Sequence, residues 1–161
     1  MTFVEFLQMI FSGNNLALFG AALATFMAGI GSAKGVSLVA KASAGLLTED
    51  PSRFGKTLAL QALPMTQGIY GFIAAILILL NMGAIGGEPN LTVSQGAYYL
   101  MAALPIAVVG YYSGVKQGEV AAAGVAVLAK RPNELGKIIP SAALVETYAI
   151  LAALISLLLI L

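Results

Sequence analysis

The chain has 161 residues, 60% hydrophobic and only 9% charged, with eight basic and seven acidic side chains and a net charge of +1. A soluble domain carries roughly 25% charge, so this composition, with a mean hydropathy of +0.95, is that of an all-α integral membrane protein. With no His and no Cys, soft-metal sites, disulfides and nucleophilic catalysis by Cys or a Ser–His pair are excluded; no GxxxxGK[ST] loop is present to bind ATP, and no nucleic-acid partner is expected.

Residues 1–13 (MTFVEFLQMIFSG) are apolar but too short to span a bilayer. They lack the basic start of a signal peptide and contain Glu5, so they are expected to lie at the membrane interface without being cleaved. A first membrane helix is expected over residues 16–47, interrupted only by Lys34 and Lys41. The turn TEDPSR (48–53) follows, with Pro51 stopping one helix and opening the next. A second span runs over 54–82, and residues 83–93 form the longest polar loop. A third helix covers 94–129. The turn KRPNE (130–134) repeats the earlier one, and a fourth span covers 135–161. Helices one and three exceed the ~20 residues needed to cross a bilayer, so they should project on the side of the two short turns. All eight basic residues lie at or toward those turns. The positive-inside rule then places both turns in the cytoplasm and both termini outside the cell membrane.

The chain repeats itself. Residues 20–80 align without gaps to 101–161, pairing Gly29 with Gly110, Ser32 with Ser113, Pro51 with Pro132, Lys56 with Lys137 and Thr66 with Thr147. A fixed-offset repeat means two copies of one unit, here a helical hairpin in the same orientation. The first helix of each hairpin carries small residues at every fourth place: Gly20, Ala24, Ala28 and Ser32, alongside Ala17, Ala21, Thr25, Gly29 and Ala33, and then Gly110, Gly114, Gly118 and Ala122. Such rows let helices approach closely in lipid. The second and fourth helices end in bulky runs suited to lipid contact. These patterns fit an inner circle of helices one and three with an outer circle of two and four, and fit a compact four-helix bundle equally well.

Glu146 is the single charge in the run from Ser141 to Leu161. A carboxylate at that depth costs several kcal/mol and marks an ion or proton site by default. It lies ~13 Å along its helix from Lys137. Gln67 lies ~16 Å from Lys56, and Gln117 ~20 Å from Lys130, which brings all three toward one level inside the hydrocarbon. Thr66 adjoins Gln67, and Tyr70 follows Thr66 by one helical turn. Pro64 cannot donate a backbone hydrogen bond, so it opens the second helix and frees a nearby carbonyl. Carboxylate, amide carbonyls, a hydroxyl and a main-chain carbonyl are hard oxygen donors suited to a dehydrated hard cation. The bland reading is that these groups only bond one another across the helices; the whole set at one depth favours a cation site.

The motifs GIGSAKG (29–35), LPMTQGIYGF (63–72), QGEVAAAG (117–124) and VETYAI (145–150) resemble the proteolipid ring subunit of V-type ATPases, in its bacterial sodium-pumping branch, over nearly the whole chain. The resemblance implies a homo-oligomeric rotor ring of identical protomers embedded in lipid. It also implies a stator subunit bearing an arginine, and central-stalk subunits docked on the cytoplasmic turns. ATP would be hydrolysed by separate soluble subunits, so this chain is not itself an enzyme. It implies Na⁺ held at Glu146 by Gln117, Gln67, Thr66 and the main-chain carbonyl of Leu63, with Tyr70 hydrogen-bonded to the glutamate and Li⁺ able to substitute. It further implies fewer ions per turn, because Met65 stands where the first hairpin would carry its carboxylate. The polar setting favours Na⁺ over H⁺, since a proton carrier needs an apolar environment that raises the glutamate pKa. A stand-alone cation transporter and a purely structural oligomer are the alternatives from other classes. Two positions depart from the family pattern: Glu119, paired on paper with Lys116 at i,i+3, puts a second carboxylate near the site, and Met65 could narrow the pocket.

Overall fold

A computed structural model describes residues 2–161. A short helix α1 (Phe3–Ile10) is closed by a capping box between Thr2 and Glu5. Its apolar side chains, Phe3, Phe6 and Ile10 among them, are exposed, and none of its residues is buried. Ser12 accepts from the Asn15 amide and starts α2 (Gly13–Glu49). Asp50 then ends α2 and accepts from Ser52 as a 3₁₀ turn, Pro51–Arg53, leads into α3 (Phe54–Ala62). A second 3₁₀ turn, Leu63–Met65, separates α3 from α4 (Thr66–Asn81). Residues 51–81 are therefore one span with a tightened turn in its middle, placed where Pro64 lacks the N–H that the Leu60 carbonyl would have received.

Helix α4 closes with Gly83 at φ +81°. Its amide and that of Ala84 reach back to the carbonyls of Leu80 and Leu79, a Schellman arrangement that an L side chain would strain. Thr92 and Gln95 form a capping box for α5 (Val93–Lys130), and α6 (Leu135–Ile160) completes the chain. Among the described residues, four spans are long and apolar enough to cross a membrane: Gly13–Glu49, Pro51–Asn81, Val93–Lys130 and Leu135–Ile160. Among the described residues there is no strand.

The small-residue rows set the packing. Along α2, Gly20, Ala24, Ala28 and Ser32 are all buried; in the neighbouring row Ala17 and Ala21 are buried too, whereas Thr25 and Ala33 are exposed. The buried glycines of α2 meet α5 backbone to backbone, while Ala24, Ala28 and Ser32 also face α4. A Cβ on Gly20 would stand 2.8 Å from Leu100 Cα, and one on Gly114 would stand 2.8 Å from the Gly31 carbonyl carbon. Cβ atoms on Gly31, Gly35 or Gly118 would likewise overlap main-chain atoms of the facing helix. Contacts this close gain dispersion along both backbones, the main attraction available between helices in lipid. Helix α4 packs on α2 and α6 on α5, and α4 and α6 also touch each other and α5. Their outward faces, including Ile69, Phe72, Leu151, Leu154 and Leu158, are exposed.

Two apolar cores result. One, around Ala24, Ile78, Ala103, Ile106 and Ala153, lies toward the 83–92 loop. The other, around Val39, Leu60, Val125, Leu128 and Ala142, lies toward the short turns. Between them sits a buried polar layer of Ser32, Gln67, Ser113 and Gln117. At the turns, the Lys56 ammonium donates to the Pro132 carbonyl at 2.7 Å and ties the two hairpins together.

Candidate functional site

Around Glu146 of α6, the polar layer presents side chains from α4 and α5. The Tyr70 hydroxyl donates to Glu146 Oε1 at 2.8 Å. The Gln117 amide nitrogen donates to Oε2 at 3.1 Å. Each carboxylate oxygen thus has a donor, one from α4 and one from α5. Hydrogen bonds to a charged acceptor contribute ~1.5–3 kcal/mol each, which offsets much of the cost of an ionised group at this depth.

Gln67 and Gln117 are fully buried. Gln67 Nε2 donates to Gln117 Oε1 at 2.6 Å and to Ser113 Oγ at 3.2 Å. Ser113 Oγ in turn donates to the main-chain carbonyl of Val145 at 3.0 Å, one residue before Glu146. Gln67 Oε1 has no hydrogen-bond partner although it is buried. An orphaned acceptor in a dry interior costs ~1–3 kcal/mol, and a cation is one species that would satisfy it.

Thr66 and Leu63 are held to each other rather than to Glu146. Thr66 Oγ1 donates to the Leu63 carbonyl at 3.2 Å, which also receives the Thr66 amide. The threonine oxygen keeps its lone pairs. Pro64 is buried at the centre of the 3₁₀ turn that carries both residues. The set named from sequence is therefore joined at two levels: Tyr70, Gln117 and Gln67 form one connected network with Glu146, while Thr66, bonded to the Leu63 carbonyl within its own turn, reaches that network only through the neighbouring Tyr70 hydroxyl.

The end of Gln117 that faces Glu146 is its amide nitrogen, and its oxygen is taken by Gln67. Glu119 is not part of the network. Its carboxylate pairs with Lys116 at 2.9 Å, with both side chains about half exposed. Met65 is half exposed, and its carbonyl accepts from Ser32 Oγ at 3.3 Å.

Sequence reasoning missed Ser113, although Ser113 stands in a column where both repeats carry serine and one helical turn before Gln117. In the first repeat, Ser32 Oγ accepts from the Gly68 amide at 2.7 Å and so clasps α2 to α4. Among the described residues, no group of three or more Asp or Glu side chains could hold a metal ion, so any cation here would rest on one carboxylate and neutral oxygens.

The family model for the C subunit of ATP synthase matches the chain twice, over residues 19–78 and 100–159. The two matches are offset by 81 residues, the offset of the repeat. The chain is 50% identical over 149 residues to the V-type sodium ATPase subunit K of Enterococcus hirae, covering 92% of each. It is 39% identical over 145 residues to the A-type ATP synthase subunit K of Methanocaldococcus jannaschii, covering 90% of this chain and 61% of that longer one.

Proposed function

The chain belongs to the family of the ATP synthase C subunit, and from that premise we propose that it is the ion-carrying component of a rotor ring in an ATP-driven sodium pump, with Na⁺ bound at Glu146. The observation that carries this reading is the network itself: an intramembrane carboxylate with a donor on each oxygen, joined through Gln117 to a buried carbonyl oxygen of Gln67 that has no partner. The similarity to a sodium ATPase component supports the choice of ion.

The ligands are Glu146, Gln67, Thr66, the Leu63 main-chain carbonyl and, after its carboxamide turns, Gln117. These are oxygen donors of the class that suits a hard monovalent cation. Na⁺ and the carboxylate sum to zero charge, so the filled site can face lipid, whereas the empty carboxylate is costly there. A stator arginine would displace the ion where the ring meets a water-filled path. Identical protomers close the ring through the faces of α2, α4, α5 and α6 left exposed in one chain. The turns at 50–53 and 131–134 lie on the cytoplasmic side, where the basic residues cluster, and dock the central stalk. Helix α1 lies in the opposite interface with its apolar side chains in the lipid boundary.

Carbodiimide labelling of the ring tests this reading, because the reagent attacks a protonated carboxyl. Millimolar Na⁺ at fixed pH is expected to protect Glu146, and Glu146→Gln to abolish both labelling and ATP-driven Na⁺ uptake with ring assembly intact. Protection by raised pH alone, with no Na⁺ effect, would make the cargo a proton. Uptake surviving in Glu146→Gln would sink the site altogether.

A further inference from the structure

The donor–acceptor polarity of the buried layer is fixed from its two ends, and Ser113 sets one of them. The Val145 carbonyl can only accept, so the Ser113 hydroxyl commits its one proton there, at 3.0 Å. Toward Gln67 that hydroxyl can then only accept, and it does so from Nε2 at 3.2 Å. At the other end, the Glu146 carboxylate accepts from Gln117 Nε2, which turns Gln117 Oε1 toward Gln67 at 2.6 Å from Nε2. Gln67 therefore meets acceptors on both sides of its amide nitrogen. A flipped carboxamide would set oxygen against oxygen at both contacts. Its own Oε1 is left buried and unpartnered.

We propose that Ser113 is a positioning residue of the ion site: its hydroxyl holds the Gln67 carboxamide with the nitrogen turned away, so that the carbonyl oxygen is the end available to the cation. This rests on Glu146 and Gln67 being ion ligands, as read above. The dependence is strongest when the site fills. If Gln117 turns its oxygen to the cation, the Gln67–Gln117 bond is given up, and Ser113 is the anchor that remains on the Gln67 nitrogen.

The competing role for Ser113 is a plain clasp between α5 and α6. Ser32 shows what such a clasp looks like, since its hydroxyl touches only main-chain groups, the Gly68 amide and the Met65 carbonyl. Ser113 is the repeat-related serine, but it has exchanged a main-chain donor for the side chain of a ligand. A clasp acts on assembly; a positioning residue acts on ion affinity, and only through Gln67.

The test is a double-mutant cycle on assembled rings in membranes, read as the Na⁺ concentration that half-protects Glu146 from carbodiimide. Ser113→Ala is expected to raise that concentration roughly five- to tenfold, the size of one hydrogen bond. Gln67→Ala raises it on its own, and adding Ser113→Ala to it is expected to change it by less than about twofold. Equal shifts in both backgrounds, or ring destabilisation with no shift in half-protection, overturn the proposal. If Ser113→Ala does not assemble, Ser113→Cys keeps the volume with a weaker donor and acceptor; it is expected to give a smaller shift in the same direction, and no shift overturns the proposal. A wild-type ring with no Na⁺ protection refutes the ion-site reading itself, and Ser113 falls with it. Normal wild-type protection that Ser113→Ala leaves unchanged removes the Ser113 role alone.

Discussion

Substituting Gly35 by Ala is expected to harm the ring, and to reach the ion site, for reasons that can be sized from the packing. A Cβ on Gly35 would overlap the Gly114 carbonyl on α5 and stand 2.7 Å from Pro64 Cβ. Ordinary van der Waals contact for a Cβ begins near 3.4 Å, so the 3₁₀ turn at Pro64 would have to move by several tenths of an ångström and α5 by more than that. Overpacking of this kind costs ~1–3 kcal/mol. Against it stands the gain of replacing a helix-interior glycine by alanine, ~1 kcal/mol. Gly45, further along the same helix, has nothing within 4 Å of the place a Cβ would take, so Gly45→Ala keeps the gain without the clash. The two substitutions should differ in sign: Gly45→Ala neutral or stabilising, Gly35→Ala destabilising by up to about 2 kcal/mol net of those two terms. Ring-to-protomer dissociation on heating in mild detergent, followed by gel mobility, reads the difference. Because Pro64 carries Leu63 and Thr66 with it, surviving Gly35→Ala rings should also need more Na⁺ to protect Glu146. Gly35→Ala rings as heat-stable as Gly45→Ala rings would refute the claim that α2 and α5 meet backbone to backbone.

Glu119→Gln breaks an exposed pair with Lys116, so ring stability should change by less than about 1 kcal/mol and Na⁺ protection of Glu146 should be unchanged; a shift of more than about threefold would bring Glu119 into the site. The Ser52 hydroxyl and then the Arg53 guanidinium hold the Asp50 carboxyl below its ordinary value of 3.8. A depressed folded-state pKa stabilises the turn above that ordinary value and loses this contribution as pH falls through the lower one. Protection of the Ser52 and Arg53 amides from hydrogen exchange, taken relative to the unstructured-chain rate at each pH, should therefore fall in acid below pH 3.8, and Asp50→Asn should remove that fall; protection in the variant that still falls over the same range would count against the cap. Met65→Glu restores a carboxylate to the first repeat but not its partners, since Val36, Tyr148 and Leu151 stand at the places of Gln117, Gln67 and Tyr70. Na⁺ bound per protomer should stay at one by equilibrium dialysis with ²²Na⁺, and a doubling would show that a carboxylate alone makes the site.

The four spans were legible because each carries its own signals. Long apolar runs are bounded by Pro51, by the glycines at 83–87 and by Pro132, and the structure ends its helices within a few residues of those marks. The duplication was legible because helix packing in lipid depends on small residues at fixed spacing, and both copies keep them. Which small-residue row of α2 faces α5 was not legible, since two rows run side by side and only contact distinguishes Ala28 from Gly29. The network around Glu146 was legible as a set of residues at one depth but not in its bonding. A glutamine offers an acceptor at one end and a donor at the other, and nothing in the letters QGEV says that Gln117 turns its nitrogen to Glu146. Ser113 was invisible for a related reason. Serine is an ordinary small residue in a helix interface, and only the two bonds from its one hydroxyl set it apart.

The two copies of the hairpin have diverged in charge while keeping a scaffold. Thr66 donates to the Leu63 carbonyl, and its counterpart Thr147 donates to the Leu144 carbonyl at 2.7 Å. Ser32 and Ser113 each bridge to the following helix. These bonds satisfy groups within or between neighbouring backbones, so each survives whatever happens at the carboxylate. The network members do not have that independence. Removing a carboxylate alone would strand the amide and hydroxyl that donate to it, at ~1–3 kcal/mol for each buried group. In the first copy the whole set is apolar or altered together: Met65 for Glu146, Val36 for Gln117, with Tyr148 and Leu151 on the facing helix. A ring built from such protomers would carry one ion for every four spans instead of one for every two. On the reading proposed above, each revolution then moves half the charge that the same number of charged hairpins would move. A fixed input of ATP per revolution therefore supplies twice the work per ion, and the pump can drive Na⁺ against a steeper gradient.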